Sequence, residues 1–449
     1  MLADRTSLTD LGILPDASGS WPLGAWFDST HARPAHQALK RLIATPLGDI
    51  ESIRARQTLL PQLVPVSKQV AWAELQSLAS QVERFLASNY EIVPARLMSR
   101  ALLAVRLHDV IAHVAQELRA VDSLLVLSEQ VYARISTISG DPAFTAVVSA
   151  FESAVQDGRR DVLRNAVARD NTLALAGVDA MVRGRPPQED NGDDVPMRDL
   201  LGALVAAIWQ LDAFCSLATA SASVGGVMPR IAPRGTAVLE FEGLCHPLLR
   251  NGTRNDVLLA GDERVLFLTG PNMAGKSTLL RAIGIAVYCA HLGMAVSAQA
   301  ACVPLHDQLI VSITVRDNLQ RGESLYLAEI RRVRTIVEAA DRGDAVLAIF
   351  DEVFRGTNIK DATQATTLLV DGLARTAHGS FVIASHLSEV AELRADSVGV
   401  TCRCMQVDTI GDELRFTYLM QRGISDVHLG MVLLDAEGVG PMLRRMAAG

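Results

Sequence analysis

The sequence predicts a multidomain chain, an all-α domain followed by an α/β domain. Three observations carry that expectation. Apolar residues recur at intervals of three and four through much of residues 36–222, the spacing of helices with a buried face. Beyond 235 the pattern changes to short apolar runs alternating with helical segments, as in a sheet buried on both faces. Residues 266–278 then join an apolar strand, a Gly270-x-x-x-x-Gly275-Lys276-Ser277 loop and the start of a helix in one run.

Composition narrows the class. With 449 residues, two or three domains can each bury a core. Charged residues make up 20% and apolar ones 49%, a globular balance rather than a disordered one. The net charge of −8 is spread evenly, so any nucleic-acid contact must come from a local patch. Aromatics, at 4%, are too sparse for a base-stacking platform. The six cysteines include no C-x-x-C pair; Cys402 and Cys404 read as strand residues on one face. No secretory leader is visible. The most apolar stretch, 282–304, carries His291 and Gln299 and follows the glycine-rich loop directly, so it reads as a buried helix and strand, not a membrane span. A cytoplasmic protein that engages no membrane is expected.

Taken in order, residues 1–30 hold Pro15, Gly19, Pro22 and Gly24 and predict an irregular lead-in. Helices follow at 36–44, stopped at Thr45-Pro46, and at 47–60 and 70–86. The longest, 99–135, carries Leu103, Leu107, Val110, Val114, Leu118, Val121 and Leu125 as one stripe, which predicts packing in a bundle. His108 and His113 read there as surface residues. A further helical stretch at 144–182 precedes a solvated acidic, proline-containing loop at 183–194, a last long helix at 197–222 and a linker at 225–235. Strands are then predicted at 238–241, 257–259, 265–268, 346–350 and 381–384, with helices at 277–291, 324–340, 363–376 and 387–393.

The loop Gly270, Pro271, Asn272, Met273, Ala274, Gly275, Lys276, Ser277 and Thr278 has the chemistry of a phosphate cradle. Its glycines let backbone amides close on phosphate oxygens, and the helix N-terminus adds partial positive charge. Lys276 is expected to reach the β- and γ-phosphates of ATP, and Ser277 to hold Mg²⁺. Residues 345–350 form an apolar strand ending in Asp351 and Glu352. Behind a P-loop that pattern assigns Asp351 to Mg²⁺ and Glu352 to activating the attacking water. A third strand ends in Ser385-His386, which places His386 within reach of the γ-phosphate.

The segment Thr269–Thr278, with Gly-Pro-Asn-Met ahead of Gly-Lys-Ser, resembles the P-loop of the MutS mismatch-repair ATPases. Residues 322–329, with Ser324, are similar to that family's signature-like segment, and 351–358 to its second motif and following loop. Cys245-His246-Pro247 and Asn255-Asp256 fall where relatives have a His-Pro and an Asn. More faintly, 39–57 resembles the start of the family's core domain and 211–218 the end of its lever. The resemblance implies an all-α core/lever domain over 1–235 and an ABC-class, MutS-type ATPase domain over 236–449. It further implies a homodimer whose two ATP sites each use the partner subunit's Ser324, acting as a nucleotide-driven clamp on DNA in repair or recombination. The alternative is an ATP-dependent switch acting on a protein partner without DNA. A transporter-type ABC ATPase is set aside, because no Leu-Ser-Gly-Gly-Gln precedes Asp351.

Departures from the family pattern set further expectations. The chain is expected to lack the mismatch-reading and connector domains. Ala274 stands where the family has a glycine, a change the loop should tolerate. No aromatic residue for stacking on adenine occurs among 251–254, which leaves the preference between adenine and guanine open. Phosphate contacts, if DNA is bound, would come from Arg159, Arg160, Arg164, Arg169, Arg183 and Arg185. The bland reading of the same arginines is that they solvate a helix face.

Overall fold

The computed structural model describes the chain apart from residues 89–99, 170–174, 176–177, 180, 183–194, 237, 250, 314–324, 411–412, 426–437 and 448–449. Contacts divide it into two compact units, and the division does not follow a single boundary at 235/236. One unit gathers Met1–Phe27, Ile43–Gln57 and Ser221–Gly449; the other is Asp28–Leu42 with Thr58–Ala220.

The amino-terminal stretch is therefore not a lead-in to the helical unit. Strand β1 (Leu2–Ala3) pairs in parallel with β7 (Gln308–Ser312), and helix α1 (Arg5–Asp10) follows at once. Asp4 caps α1, its carboxylate accepting from Ser7 N at 2.8 Å, the standard remedy for an orphan first-turn amide. A further short helix, α2 (Gly24–Phe27), buries Phe27. Strand and helix here are too short for periodicity to reveal, which is why turn residues dominated the sequence reading.

In the helical unit, α3 (Arg33–Ala44) and α4 (Ile50–Gln69) contribute in part, followed by α5 (Trp72–Ala87), α6 (Arg100–Ile135), α7 (Pro142–Gln156), α8 (Arg159–Arg169) and α9 (Met197–Ser223). α4 runs past the expected stop at residue 60 despite Pro61 and Pro65 in its interior. Each proline forfeits a ladder bond, but Leu59, Leu60, Leu63 and Val66 are all buried, and that burial offsets the loss. α5, α7 and α8 pack on α6, whose Val114, Leu118, Val121 and Leu125 are buried as the stripe required. His113 is half exposed and faces Glu117 one turn on, the surface role expected of it; the side chains of His108 and the first part of the stripe lie outside the described ones. The helical stretch expected over 144–182 is broken at Asp157-Gly158, where Asp157 accepts from Arg159 N at 2.8 Å and starts α8. α9 is long and apolar enough to cross a membrane, yet 72% of its apolar window is buried within the fold, as in a core helix.

The α/β unit holds a seven-stranded sheet in the order β1-β7-β8-β9-β5-β10-β11. Its remaining members are β5 (Val265–Thr269), β8 (Val346–Asp351), β9 (Ser380–Ala384), β10 (Val400–Ile410) and β11 (Glu413–Arg422). All neighbours are parallel except β10 and β11. A four-stranded sheet, β2-β6-β3-β4, comprises β2 (Arg230–Ala232), β6 (Ala300–Pro304), β3 (Val238–Leu244) and β4 (Asn255–Ala260). The stretch expected as a linker at 225–235 thus contains a paired strand, β2 alongside β6.

Every residue of β5 and β9 is buried, as is β8 up to Phe350, so these strands are covered on both faces. On one face Val265, Phe267, Phe350, Phe381 and Ile383 form a continuous core. That core is covered by α11 (Leu325–Asp341), α12 (Ile359–Ala374) and α13 (Ser388–Arg394). The other face receives α10 (Lys276–His291), where Gly284 leaves room for Leu11 and Ile349; a Cβ there would come within 2.7 Å of Leu11 Cδ2. A last helix, α14 (Val439–Ala447), ends the described chain.

Candidate active site

Parallel pairing puts the carboxyl ends of β5, β9 and β8 on one edge of the sheet, where open α/β sheets bind their ligands. The loop leaving β5 is held in left-handed conformations at three places: Gly270 at φ 138°, Met273 at 72° and Gly275 at 96°. Gly270 has no spare room either, since a Cβ would lie 3.1 Å from that of Met405. Ala274 is buried and takes no positive φ, so the loop accommodates its methyl group. Gly275 caps α10 without a side-chain acceptor, which leaves first-turn amides of the helix available to an anion.

Lys276 is only 4% exposed and donates to the carbonyls of Gly270 at 2.5 Å and Pro271 at 3.0 Å. Burial pushes its ammonium pKa down, while Glu352 and Asp351 pull it up. The Ser277 hydroxyl makes a short hydrogen bond to the Asp351 carboxylate. A hydroxyl and a carboxylate side by side are the hard oxygen donors that suit Mg²⁺, which keeps several waters and needs few protein ligands. These residues, with Asn272, Met273 and Thr278, line a cleft of about 660 Å³, a size suited to a small-molecule ligand.

Glu352 adopts φ 58°, a left-handed conformation that costs energy in a non-glycine residue. Its amide donates to Ala384 O at 2.8 Å, while Ser385 N donates to Leu268 O at 3.0 Å, so the end of β9 is stitched to both neighbours. This brings His386 Nδ1 to 4.0 Å from Glu352 Oε1, with the imidazole 59% exposed toward solvent. Arg355 Nη1 lies 3.6 Å from the other Glu352 oxygen. Sequence had not singled out Arg355 for a role.

Tyr418 was also missed. It lines the cleft from β11, again with positive φ, 59°, and a Cβ on Gly275 would touch its ring at 3.1 Å. Asn255 holds this strand in place, donating to Tyr418 O at 3.0 Å and accepting from Met420 N at 2.6 Å. An aromatic side chain thus lines the cleft from a strand that Asn255 holds. Cys245 and His246 line the same cleft, and burial with the nearby Arg281 charge lowers the His246 pKa. Ser324 lies outside the described residues.

The arginine candidates divide. Arg159 pairs with Asp157 at 2.5 Å, Arg160 with Glu129 at 2.6 Å and Arg164 with Asp122 at 3.4 Å. Arg160 is also buried and donates to Val155 O at 3.2 Å. The side chain of Arg169, and Arg183 and Arg185 altogether, lie outside the described ones.

Comparison with known proteins agrees with the geometry. Residues 266–443 match the family described as MutS domain V. The DNA mismatch repair protein MutS of Symbiobacterium thermophilum is 31% identical over 232 residues, 50% of this chain and 26% of that protein. The Aquifex pyrophilus protein of the same name is 29% identical over 245 residues, 54% of this chain and 28% of its own. That of Desulfovibrio desulfuricans is 30% identical over 260 residues, 56% and 28% respectively. The chain spans roughly a quarter of the length of the curated relatives it matches. The matched stretch covers the strands, loop and carboxylates described above, and over residues 266–443 the chain is similar to MutS domain V.

Proposed function

We propose that this protein is a MutS-like ATPase, binding ATP with Mg²⁺ in the cleft above β5, β8 and β9 and hydrolysing it. The observation that carries this reading is the Ser277–Asp351 hydrogen bond beside a loop closed by the buried Lys276. Ser277 and Asp351 would hold Mg²⁺, which supplies charge neutralisation at the phosphate oxygens. Lys276 would exchange its carbonyl partners for phosphate oxygens when ATP enters, a trade of neutral acceptors for charged ones that favours binding. Glu352, fixed by the Ala384 carbonyl, would take the proton of the attacking water, with His386 close to the same carboxylate.

Two subunits would share two such sites, each completed by the partner subunit's Ser324, and closure of the dimer would be transmitted to DNA. The names of the relatives favour DNA as the target. A protein target remains the second reading, favoured by one observation: Arg159, Arg160 and Arg164 already have carboxylate partners within their own unit.

Paired variants test the hydrolysis reading. Lys276→Ala is expected to abolish ATP binding, and Glu352→Gln to keep binding while lowering turnover by about 10²-fold or more. Parental turnover in Glu352→Gln rejects Glu352 as the base.

A further inference from the structure

The amino-terminal helix α1 is connected to the end of β7 and to α11 by side chains rather than by simple apolar packing. Asp10 Oδ2 accepts from Ile313 N at 2.9 Å, directly beyond β7. Ser7, fully buried, accepts from Val311 N at 2.8 Å through its hydroxyl. Arg332 of α11 reaches back to Asp4 at 2.5 Å, Ser7 Oγ at 2.7 Å and Val311 O at 2.8 Å. One six-residue helix with its cap thus fixes both the strand end and the helix.

What the strand end touches on its other side gives this a consequence. Arg355 Nη2 donates to Ile313 O at 3.5 Å and to Asp351 O at 3.3 Å, while its Nη1 faces Glu352 at 3.6 Å. Ile313 is therefore held at its amide by Asp10 and at its carbonyl by Arg355. A second route runs through α11. A Cβ on Gly356 would lie 2.8 Å from Tyr326 N and Cβ, so the loop after Glu352 rests on the first turn of α11. Tyr326 meets Phe354 edge-on, with ring centroids 6.2 Å apart. Glu329 is buried beneath the same loop, where burial raises its carboxyl pKa against the lowering pull of the Gly356 amide, the Arg355 charge and the Arg355 amide.

We propose that α1 is a positioning element for Glu352, acting through Asp10, Ile313 and Arg355 and braced by the Asp4–Arg332 and Ser7 contacts. The inference rests on the reading of Glu352 as the hydrolytic base. A left-handed Glu352 is costly to hold, and a guanidinium gripping its carboxylate, its neighbour's carbonyl and Ile313 restricts where it can relax. Small displacements of a base relative to its water cost rate steeply, while nucleotide affinity, set by the loop and Lys276, stays.

The test uses the full chain and measures steady-state ATP turnover beside affinity for a fluorescent ATP analogue. Asp10→Ala removes the acceptor for Ile313 and is expected to lower kcat about tenfold with affinity within about twofold. Asp10→Asn keeps an acceptor oxygen and should restore most of the loss. Arg355→Ala should lower kcat as well, and the double variant should be no worse than Arg355→Ala alone, as for residues on one path. Parental kcat in Asp10→Ala, equal losses in the Ala and Asn variants, additive losses in the double variant, or a loss of affinity with the turnover each overturn the proposal. Glu352→Gln, assayed alongside, separates the two failures. If it turns over at the parental rate the hydrolysis reading falls, whereas if it is inactive and Asp10→Ala is parental only the role of α1 falls.

Discussion

The two compact units differ in what holds their functional-looking polar side chains. In the helical unit, polarity is spent internally: buried Asp212 accepts from His31 N at 2.9 Å, His31 Nδ1 at 3.0 Å and Gln76 at 2.8 Å. Its arginines at 159, 160 and 164 are likewise matched to carboxylates. In the α/β unit, backbone around the cleft is held in conformations that cost energy, and non-glycine positive φ angles fall at Met273, Glu352, Phe354 and Tyr418. Three of those four line the cleft. Backbone strain held by neighbours, rather than the pairing of polar groups alone, sets a site apart from a scaffold. The contrast teaches where to look for chemistry and where to look for stability.

Acidification should separate the units most strongly. The α/β unit buries His291 and His306, whose rings lie 6.2 Å apart. Burial pushes them down to about 4 and about 3. Unfolded, each would titrate near 6.5, so the unfolded state binds more protons between that value and the folded pKa. Their stabilising contribution is complete above pH 6.5 and is lost as pH falls toward 4. Asp212 behaves in the reverse sense: burial raises its carboxyl pKa, so its contribution is present at low pH and declines as pH rises through the folded value. Hydrogen exchange followed from pH 7 to pH 5 should therefore deprotect the α10 amides, near His291, before those of α9 around Asp212. Simultaneous deprotection, or α9 opening first, would remove this distinction between the units.

How much was legible in sequence follows the same divide. The strands β5, β8 and β9 could be read because full burial made them unbroken apolar runs, and the glycine-rich loop because its spacing is local. The side chains of Ser277 and Asp351, taken from motifs 74 positions apart, lie side by side. The roles of α1, β2 and Tyr418 could not be read, because each depends on pairing across a long stretch of chain. Asp10 meets Ile313 303 positions away, and Asn255 meets Tyr418 163 positions away. Short elements whose identity lies in their partner leave almost no periodic signal. The break at Asp157-Gly158 was readable in principle: an Asp-Gly pair inside a helical pattern is a turn signal that the surrounding apolar spacing outweighed.

Tyr418 offers the next largest effect and sharpens the comparison inside the α/β unit itself. Its ring stands at the mouth of the cleft, 47% exposed, opposite the loop's Gly275. If it supports a purine base, Tyr418→Ala should weaken ATP binding about tenfold, in the range of aromatic–base stacking, whereas Tyr418→Phe should leave it nearly unchanged. The left-handed backbone adds a control: Tyr418→Gly relieves the φ of 59° while deleting the ring, so it should lose affinity like the alanine variant without losing thermal stability. Equal affinity in all three would show that the ring only fills space.

The smallest effect is expected where the sequence first suggested DNA contact. An arginine whose guanidinium already faces a carboxylate has a weaker attraction for phosphate, because the two opposite charges cancel at distances beyond the pair. Arg159 at 2.5 Å from Asp157 and Arg164 at 3.4 Å from Asp122 are such cases. Replacing both with glutamine should change affinity for duplex DNA by less than about twofold and leave the dependence of binding on salt nearly unaltered, since few counterions are released at pre-paired sites. Arg160 is left out of this pair because it is buried and its loss would strand Val155 O and disturb α8. A markedly flatter salt dependence in the double variant would mean that the pairs open to take phosphate. Polarity in the helical unit would then be poised for a ligand, as it is around the cleft, and the contrast between the two units would fail at the point where it is easiest to measure.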